Sequence, residues 1–350
     1  MERLRLAVVG CGAVAELFHL PAAVRHAGVE VTALVDRDPV RAKALAERFG
    51  VPTVLTDWRD VEQHADAAVV ALPHFLHAPA SIDLLQAGVH VLVEKPMALS
   101  SAEAERMSEA AQAAERVLAV GFQCRFYRNS RMVKHVLESG LLGRITRFDV
   151  RQGAQFGWPV LDGSAFRPET GGGALTGMGI HALDLALWWM GDFSEVAYYD
   201  DAVGGVEADC ELHLTLGEGI RGTAEFSHTR NLRNTWRIQG ERGELEVGVS
   251  FNSPLRLRVL GSELSLEGPV MEGARGDHDM REVMLRQFDD FIGAVRSGSD
   301  PLTPGREGVR TARLYEACQR RRQPLDLPWL FPQEAHPPGA HECRLAQVGG

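Results

Sequence analysis

The stretch LRLAVVGCGAVAE, Leu4 to Glu16, decides the fold. Its first half is apolar almost throughout, the pattern of a strand buried on both faces. Gly10, Gly12 and Ala15 then form G-x-G-x-x-A where the strand gives way to helical spacing. The first glycine permits a tight turn, the second lets backbone approach a pyrophosphate, and the helix N-terminus offers amide hydrogens to phosphate oxygens. Ala13 and Val14, inside the motif, are assigned to the same cofactor surface.

Working outward, VEVTALVD, ADAAVVAL, VHVLVE and VLAVGF read as further buried strands, separated by stretches of helical spacing. This alternation predicts a doubly wound parallel sheet, an α/β Rossmann domain, over residues 1–122. One helix start is marked by the capping-box spacing of Ser100 and Glu103. At the end of the second strand stands Asp36, 24 residues beyond Gly12. A carboxylate there accepts both ribose hydroxyls of NAD and repels a 2′-phosphate, so NAD is expected over NADP. Arg37 follows directly, and either covers the adenine face or partners a 2′-phosphate.

After a helical segment, NSRMVKHVLESGLLG, the pattern changes. RITRFDVRQGAQF, EADCELHLTL, IRGTAEFSHTR, NTWRIQGERGELEVG and LRLRVLG alternate like strands with one solvated face. Residues 123–328 therefore form an α+β domain around a largely antiparallel, open-faced sheet. ALTGMGIHALDLALWWMG, apolar nearly all round and ended by Gly191, reads as a buried helix within it. Two late helices, near 279–297 and 305–321, pack back on either domain, and 329–350 lacks periodicity and reads as a loose tail.

Composition excludes other classes. With 45% apolar and 24% charged residues the chain is globular, neither disordered nor membrane-spanning. A formal charge of -10 argues against nucleic acid as a partner, because phosphate binding needs a dense basic surface. The five cysteines, at 11, 124, 210, 318 and 343, include no C-x-x-C pair. No metal is expected, and reduced thiols with no signal-peptide pattern make a cytoplasmic location the expectation.

VLVEKPMALS, Val91 to Ser100, ends a buried strand in Glu94, Lys95 and Pro96, although isolated charges are costly to take out of water. Together with the glycine motif and GGGALTGMGIHALD at Gly171 to Asp184, this EKP resembles the glucose-fructose oxidoreductase / inositol dehydrogenase / rhizopine catabolism (Gfo/Idh/MocA) family. The resemblance covers residues 4–320. It implies NAD(P)-linked oxidation or reduction of a hydroxyl on a sugar, cyclitol or nucleotide sugar, and a homo-oligomer, dimer or tetramer, built through the open-faced sheet.

By the same resemblance Lys95 meets the reacting oxygen, where an ammonium stabilises a developing alkoxide. His181 matches the family's catalytic histidine, placed to take or return the hydroxyl proton. Asp184, three residues on, either orients that ring or is a structural hydrogen-bond partner. Leu72, Pro73, His74 and His77 match a loop lining the cofactor, alongside Glu94. Gln123 and Arg125 fall where contact with nicotinamide or substrate is implied. Trp158 and Arg167 lie on the loop before the glycines, as a stacking face and a polar clamp for a sugar. Family members commonly carry Asp four residues before the histidine; here Gly177 stands there, either clearing space for a bulky substrate group or permitting close packing. The resemblance also leaves open an NAD-dependent, redox-neutral glycosidase and a non-catalytic NAD-binding regulator.

Overall fold

The structure, a computed structural model, describes residues 2–159, 163–261, 265–269 and 279–326. The first sheet consists of β1 (Leu4–Val9), β2 (Val29–Val35), β3 (Thr53–Leu55), β4 (Ala67–Val70), β5 (His90–Val93) and β6 (Leu118–Val120). They run parallel in the order β3-β2-β1-β4-β5-β6, the doubly wound dinucleotide-binding arrangement. Successive side chains of a strand point to opposite faces, and here both faces are covered. Leu6 and Val8 join one apolar cluster, with α1 (Leu20–Ala23) and α2 (Pro39–Phe49). Ala7 and Val9 join the other, with α3 (His77–Gln86) and α4 (Ser101–Ala113). The run therefore has no polar alternation. The capping spacing is realised, as the Ser100 hydroxyl accepts the Glu103 amide at 3.3 Å.

The second sheet has nine strands: β7 (Ile145–Gly153), β8 (Phe193–Asp200), β9 (Asp209–Leu216), β10 (Ile220–Ser227), β11 (Thr235–Gly240), β12 (Gly243–Gly248), β13 (Pro254–Val259), β14 (Ser265–Pro269) and β15 (Arg322–Pro324). Their order is β14-β13-β12-β11-β7-β10-β9-β8-β15, antiparallel except for β7 with β10 and β8 with β15. One face packs Phe148, Leu212, Phe226 and Trp236 against α6 (Ile180–Met190), with α5 (Arg128–Glu138) at its side. The other presents arginines and glutamates in cross-strand pairs such as Arg237–Glu246 and Arg258–Glu244.

Two helices return across the boundary. α7 (Met280–Ser297) places Met284, Phe288, Phe291 and Ile292 in the first sheet's core with Leu6 and Val8. α8 (Gly305–Arg320) contributes Val309 and Ala312 to the opposite face of that sheet, while its Leu314 and Cys318 enter the second domain's core. Among the described residues no helix is long and apolar enough to cross a membrane. The tail expected at 329–350 lies outside the described residues.

Candidate active site

The glycine loop forms a cradle at the carboxyl end of β1. Gly10 has φ 101°, and a Cβ there would lie 2.3 Å from the Ala71 carbonyl oxygen, so only glycine fits. A Cβ on Gly12 would meet nothing within 4 Å. The space above this residue is open to a ligand, and a π turn at Ala15–His19 leads into α1. Ala13 and Val14 are half-buried beside it, as are Leu72 and Pro73 beyond β4.

Asp36 closes the cradle from the second strand. Its Oδ2 accepts the Cys11 amide at 2.8 Å and its Oδ1 accepts the Asp38 amide at 2.9 Å, with Arg41 3.6 Å away. Each carboxylate oxygen has a second lone pair, which leaves Asp36 able to accept a ribose hydroxyl as well. The open loop, the helix start and the acidic residue fit a dinucleotide. Arg37 is exposed beside them. Arg41, one turn into α2, was not singled out from the sequence; a cation there carries no pattern of its own.

At the carboxyl end of β5 the chain passes into Glu94, Lys95 and Pro96, with a cis Lys95–Pro96 peptide. Glu94 is 8% exposed. Its Oε1 lies 2.7 Å from Nε2 of the buried His19, and its Oε2 accepts the Lys95 amide at 3.1 Å. Burial pushes the Glu94 carboxyl up, but the hydrogen bond and charge of His19, with Lys95, outweigh it and hold the group at about 2. The Lys95 ammonium donates to the carbonyl of Gly177 at 2.7 Å and of Thr176 at 3.5 Å. Burial draws its pKa below the ordinary lysine value. The strand thus ends in charges that are engaged inside the molecule.

Those two carbonyls belong to the π turn Leu175–Gly179, which continues into α6 and His181. The histidine Nε2 lies 3.4 Å from Nε2 of Gln123. Among the described residues His181 Nδ1 and Gln123 Oε1 are buried with no partner, atoms that a bound ligand can satisfy. Burial, then the Lys95 charge, hold the His181 pKa well below the ordinary value, so the imidazole is neutral near pH 7.

Other expected site residues are placed differently. Asp184 is turned to Arg125, which donates to it through Nε at 2.9 Å and Nη2 at 2.6 Å and reaches Glu307 at 2.8 Å. Both are fully buried, and Asp184 faces Arg125 rather than the His181 ring; with Glu307 the pair forms a buried ion cluster. His77 is also fully buried, each ring nitrogen 2.8 Å from a carbonyl, Pro96 on one side and Leu72 on the other. It ties together the loops after β4 and β5 and offers no surface to a cofactor. His74 reaches the Gly171 carbonyl at 3.0 Å, and burial pushes its pKa down to about 3. Trp158 stacks on Phe18 with ring centroids 6.0 Å apart. Arg167 is exposed on the same loop. The space over Gly177 holds the imidazole of His228, 3.2 Å from where a Cβ would be; it is neither vacant nor lined by backbone. His19 and His228 were not found from the sequence, because each is a lone histidine whose partner is distant along the chain.

Comparison with known proteins places the chain in a family. Residues 4–122 match the family described as an oxidoreductase family with NAD-binding Rossmann fold, and residues 130–246 match the GFO/IDH/MocA C-terminal domain. A dTDP-3,4-didehydro-2,6-dideoxy-alpha-D-glucose 3-reductase from Streptomyces violaceoruber is 31% identical over 91% of this chain and 93% of its own length. Among solved structures, a 3-ketoreductase from Actinomadura kijaniata in complex with TDP-benzene and NADP is 25% identical, covers 93% of this chain and 99% of that one, and superposes with a TM-score of 0.80. Levoglucosan dehydrogenase in complex with NADH and levoglucosan has a TM-score of 0.83 at 21% identity, with 91% of this chain and 97% of that one covered.

Proposed function

The chain belongs to the Gfo/Idh/MocA family of NAD-binding oxidoreductases, and we propose that it interconverts a secondary alcohol and a ketone on a sugar, cyclitol or nucleotide-linked sugar, with NAD as its preferred cofactor. The observation that carries this reading is the meeting of Lys95 from the first domain with the His181 helix of the second, beside the open glycine cradle. The names of the relatives support a sugar: one reduces a nucleotide-linked ketosugar and another holds levoglucosan.

Gly10, Gly12 and Asp36 would hold the dinucleotide, with Gln123 at its reactive end. Bound NAD supplies a hydride acceptor, or NADH a donor, at the nicotinamide. In oxidation the neutral His181 takes the hydroxyl proton as the hydride leaves the same carbon, and in reduction it returns that proton to the oxygen. Lys95 places positive charge where the oxygen becomes anionic, and its carbonyl partners are weaker rivals for that oxygen than a carboxylate would be. Asp36 favours NAD because a 2′-phosphate would face its charge, with Arg37 and Arg41 flanking the same position.

A screen of sugars, cyclitols and nucleotide sugars with NAD and NADP, following reduced nicotinamide, tests the proposal. Turnover of at least one sugar is expected. Glycoside cleavage with no net change in nicotinamide, or NADH binding without turnover of any of them, overturns it. The open sheet face, with its paired arginines and glutamates, is proposed as a self-association surface, which light scattering checks. Four buried free cysteines, Cys11, Cys124, Cys210 and Cys318, support placing the protein in the reducing cytoplasm.

A further inference from the structure

Two glycines seat the start of the His181 helix on the end of β10. A Cβ on Gly179 would lie 2.9 Å from Phe226, and one on Gly177 would lie 3.2 Å from Cε1 and 3.3 Å from Nε2 of His228. Phe226 and His228, two residues apart, project from the same side of the chain. Phe226 is fully buried and serves packing. His228 is only half-buried. Its backbone is fixed on both sides, donating to the Ala208 carbonyl at 2.7 Å and accepting from the Phe156 amide at 2.9 Å. Its ring stands edge-on to Phe156, with centroids 5.0 Å apart. Among the described residues its ring nitrogens have no hydrogen-bond partner, although the residue it covers is the one whose carbonyl holds the Lys95 ammonium. Burial and that ammonium lower its pKa, leaving a neutral ring with one donor and one acceptor.

We propose that His228 is a substrate-binding residue, which hydrogen-bonds a hydroxyl neighbouring the reacting carbon and so determines which sugars are accepted. The inference rests on the dehydrogenase reading above. Glycine at 177 suits the arrangement, since a Cβ there would press on the imidazole and shift it by a few tenths of an ångström. The rival is that the ring merely fills space beside Phe156.

The probes are methyl β-D-glucopyranoside, levoglucosan and dTDP-glucose, each compared with its monodeoxy analogues. With the parent sugar that wild type oxidises, His228→Ala is expected to raise KM about tenfold while kcat changes less than threefold and NADH affinity is unchanged. For one deoxy analogue the variant and wild type should be equal, because the contacted hydroxyl is gone. His228→Asn, which keeps a donor and an acceptor, should recover part of the loss. An equal penalty for the parent and every deoxy sugar, unrelieved by Asn, overturns the proposal in favour of packing. Wild type is first taken through the full screen above: turnover of none of those compounds removes the dehydrogenase reading, and this inference with it, whereas turnover of a substrate whose KM is unmoved by His228→Ala overturns this inference alone.

Discussion

Two groups of charges flank the helix that carries His181, and they differ in how their cations are partnered. In the first, Glu94 is taken up by His19 and by the Lys95 amide, while the Lys95 ammonium rests on carbonyls alone. In the second, the Arg125 guanidinium is occupied by Asp184 from two nitrogens and by Glu307 and the Leu302 carbonyl. Glu94 in the first group is as buried as Arg125 and Asp184 in the second, while Lys95 itself is half-buried. The difference is whether a cation is left without an anion. A saturated cluster is closed to further chemistry, whereas a cation held only by dipoles keeps its affinity for an oxyanion. Charge and burial by themselves therefore do not mark a reactive group; the state of its partners does.

The contrast can be broken by substitution on either side. The largest effect is expected at the saturated cluster: Asp184→Ala should cost about 3–5 kcal/mol of stability, because it leaves Arg125 buried with a single carboxylate. Urea unfolding measures this, and a loss under about 1 kcal/mol would deny the cluster its structural role. At the open cluster the effect should move from stability to rate. Lys95→Ala and His181→Ala should each lower kcat about a hundredfold, ~2.7 kcal/mol, with NADH still bound. Near-normal turnover in either variant removes that residue from the mechanism.

The pH dependence sharpens the same point. In the proposed mechanism oxidation requires neutral His181, whose pKa is held below the ordinary histidine value by burial and by Lys95. Activity should therefore persist as pH falls through about 6.5 and fail only below it. Stability has the same sign: an unfolded chain protonates this histidine first, so its contribution is complete above about pH 6.5 and lost as pH falls toward the folded value. A kcat profile whose acid limb sits at or above that value contradicts the burial argument. Asp36 is intermediate, with one backbone amide on each oxygen and a lone pair to spare. The smallest effect belongs to it: NADH should bind about tenfold tighter than NADPH, ~1.4 kcal/mol, by fluorescence titration. Equal affinities would mean that Arg37 and Arg41 govern the pocket.

The sequence carried the parallel sheet almost completely, because strands buried on both faces print as unbroken apolar runs. It missed β3 and β15, whose three residues each are too few to show a period, β8, where FSEVAYYD follows directly on the buried helix, and the short edge strand β14. The glycine cradle and the Lys95 and His181 pair were legible as local motifs with fixed spacing. Partner choice was not. That Asp184 faces Arg125 rather than His181, that His77 bonds two carbonyls, and that His228 covers Gly177 all depend on residues brought together from distant segments.

Helix α7 shares one face of the first sheet, through Met284, Phe288, Phe291 and Ile292, yet it is made late. Between Gly121, after the last strand of that sheet, and Met284 the ribosome must add about 160 residues, which at 5–20 residues per second takes roughly 8–30 s. A sheet that forms during that interval has part of an apolar face open to water and to its neighbours. The first half of this chain is therefore complete in sequence long before it is complete as a solid. Its yield in the cell should depend on what shelters that face while the rest is translated.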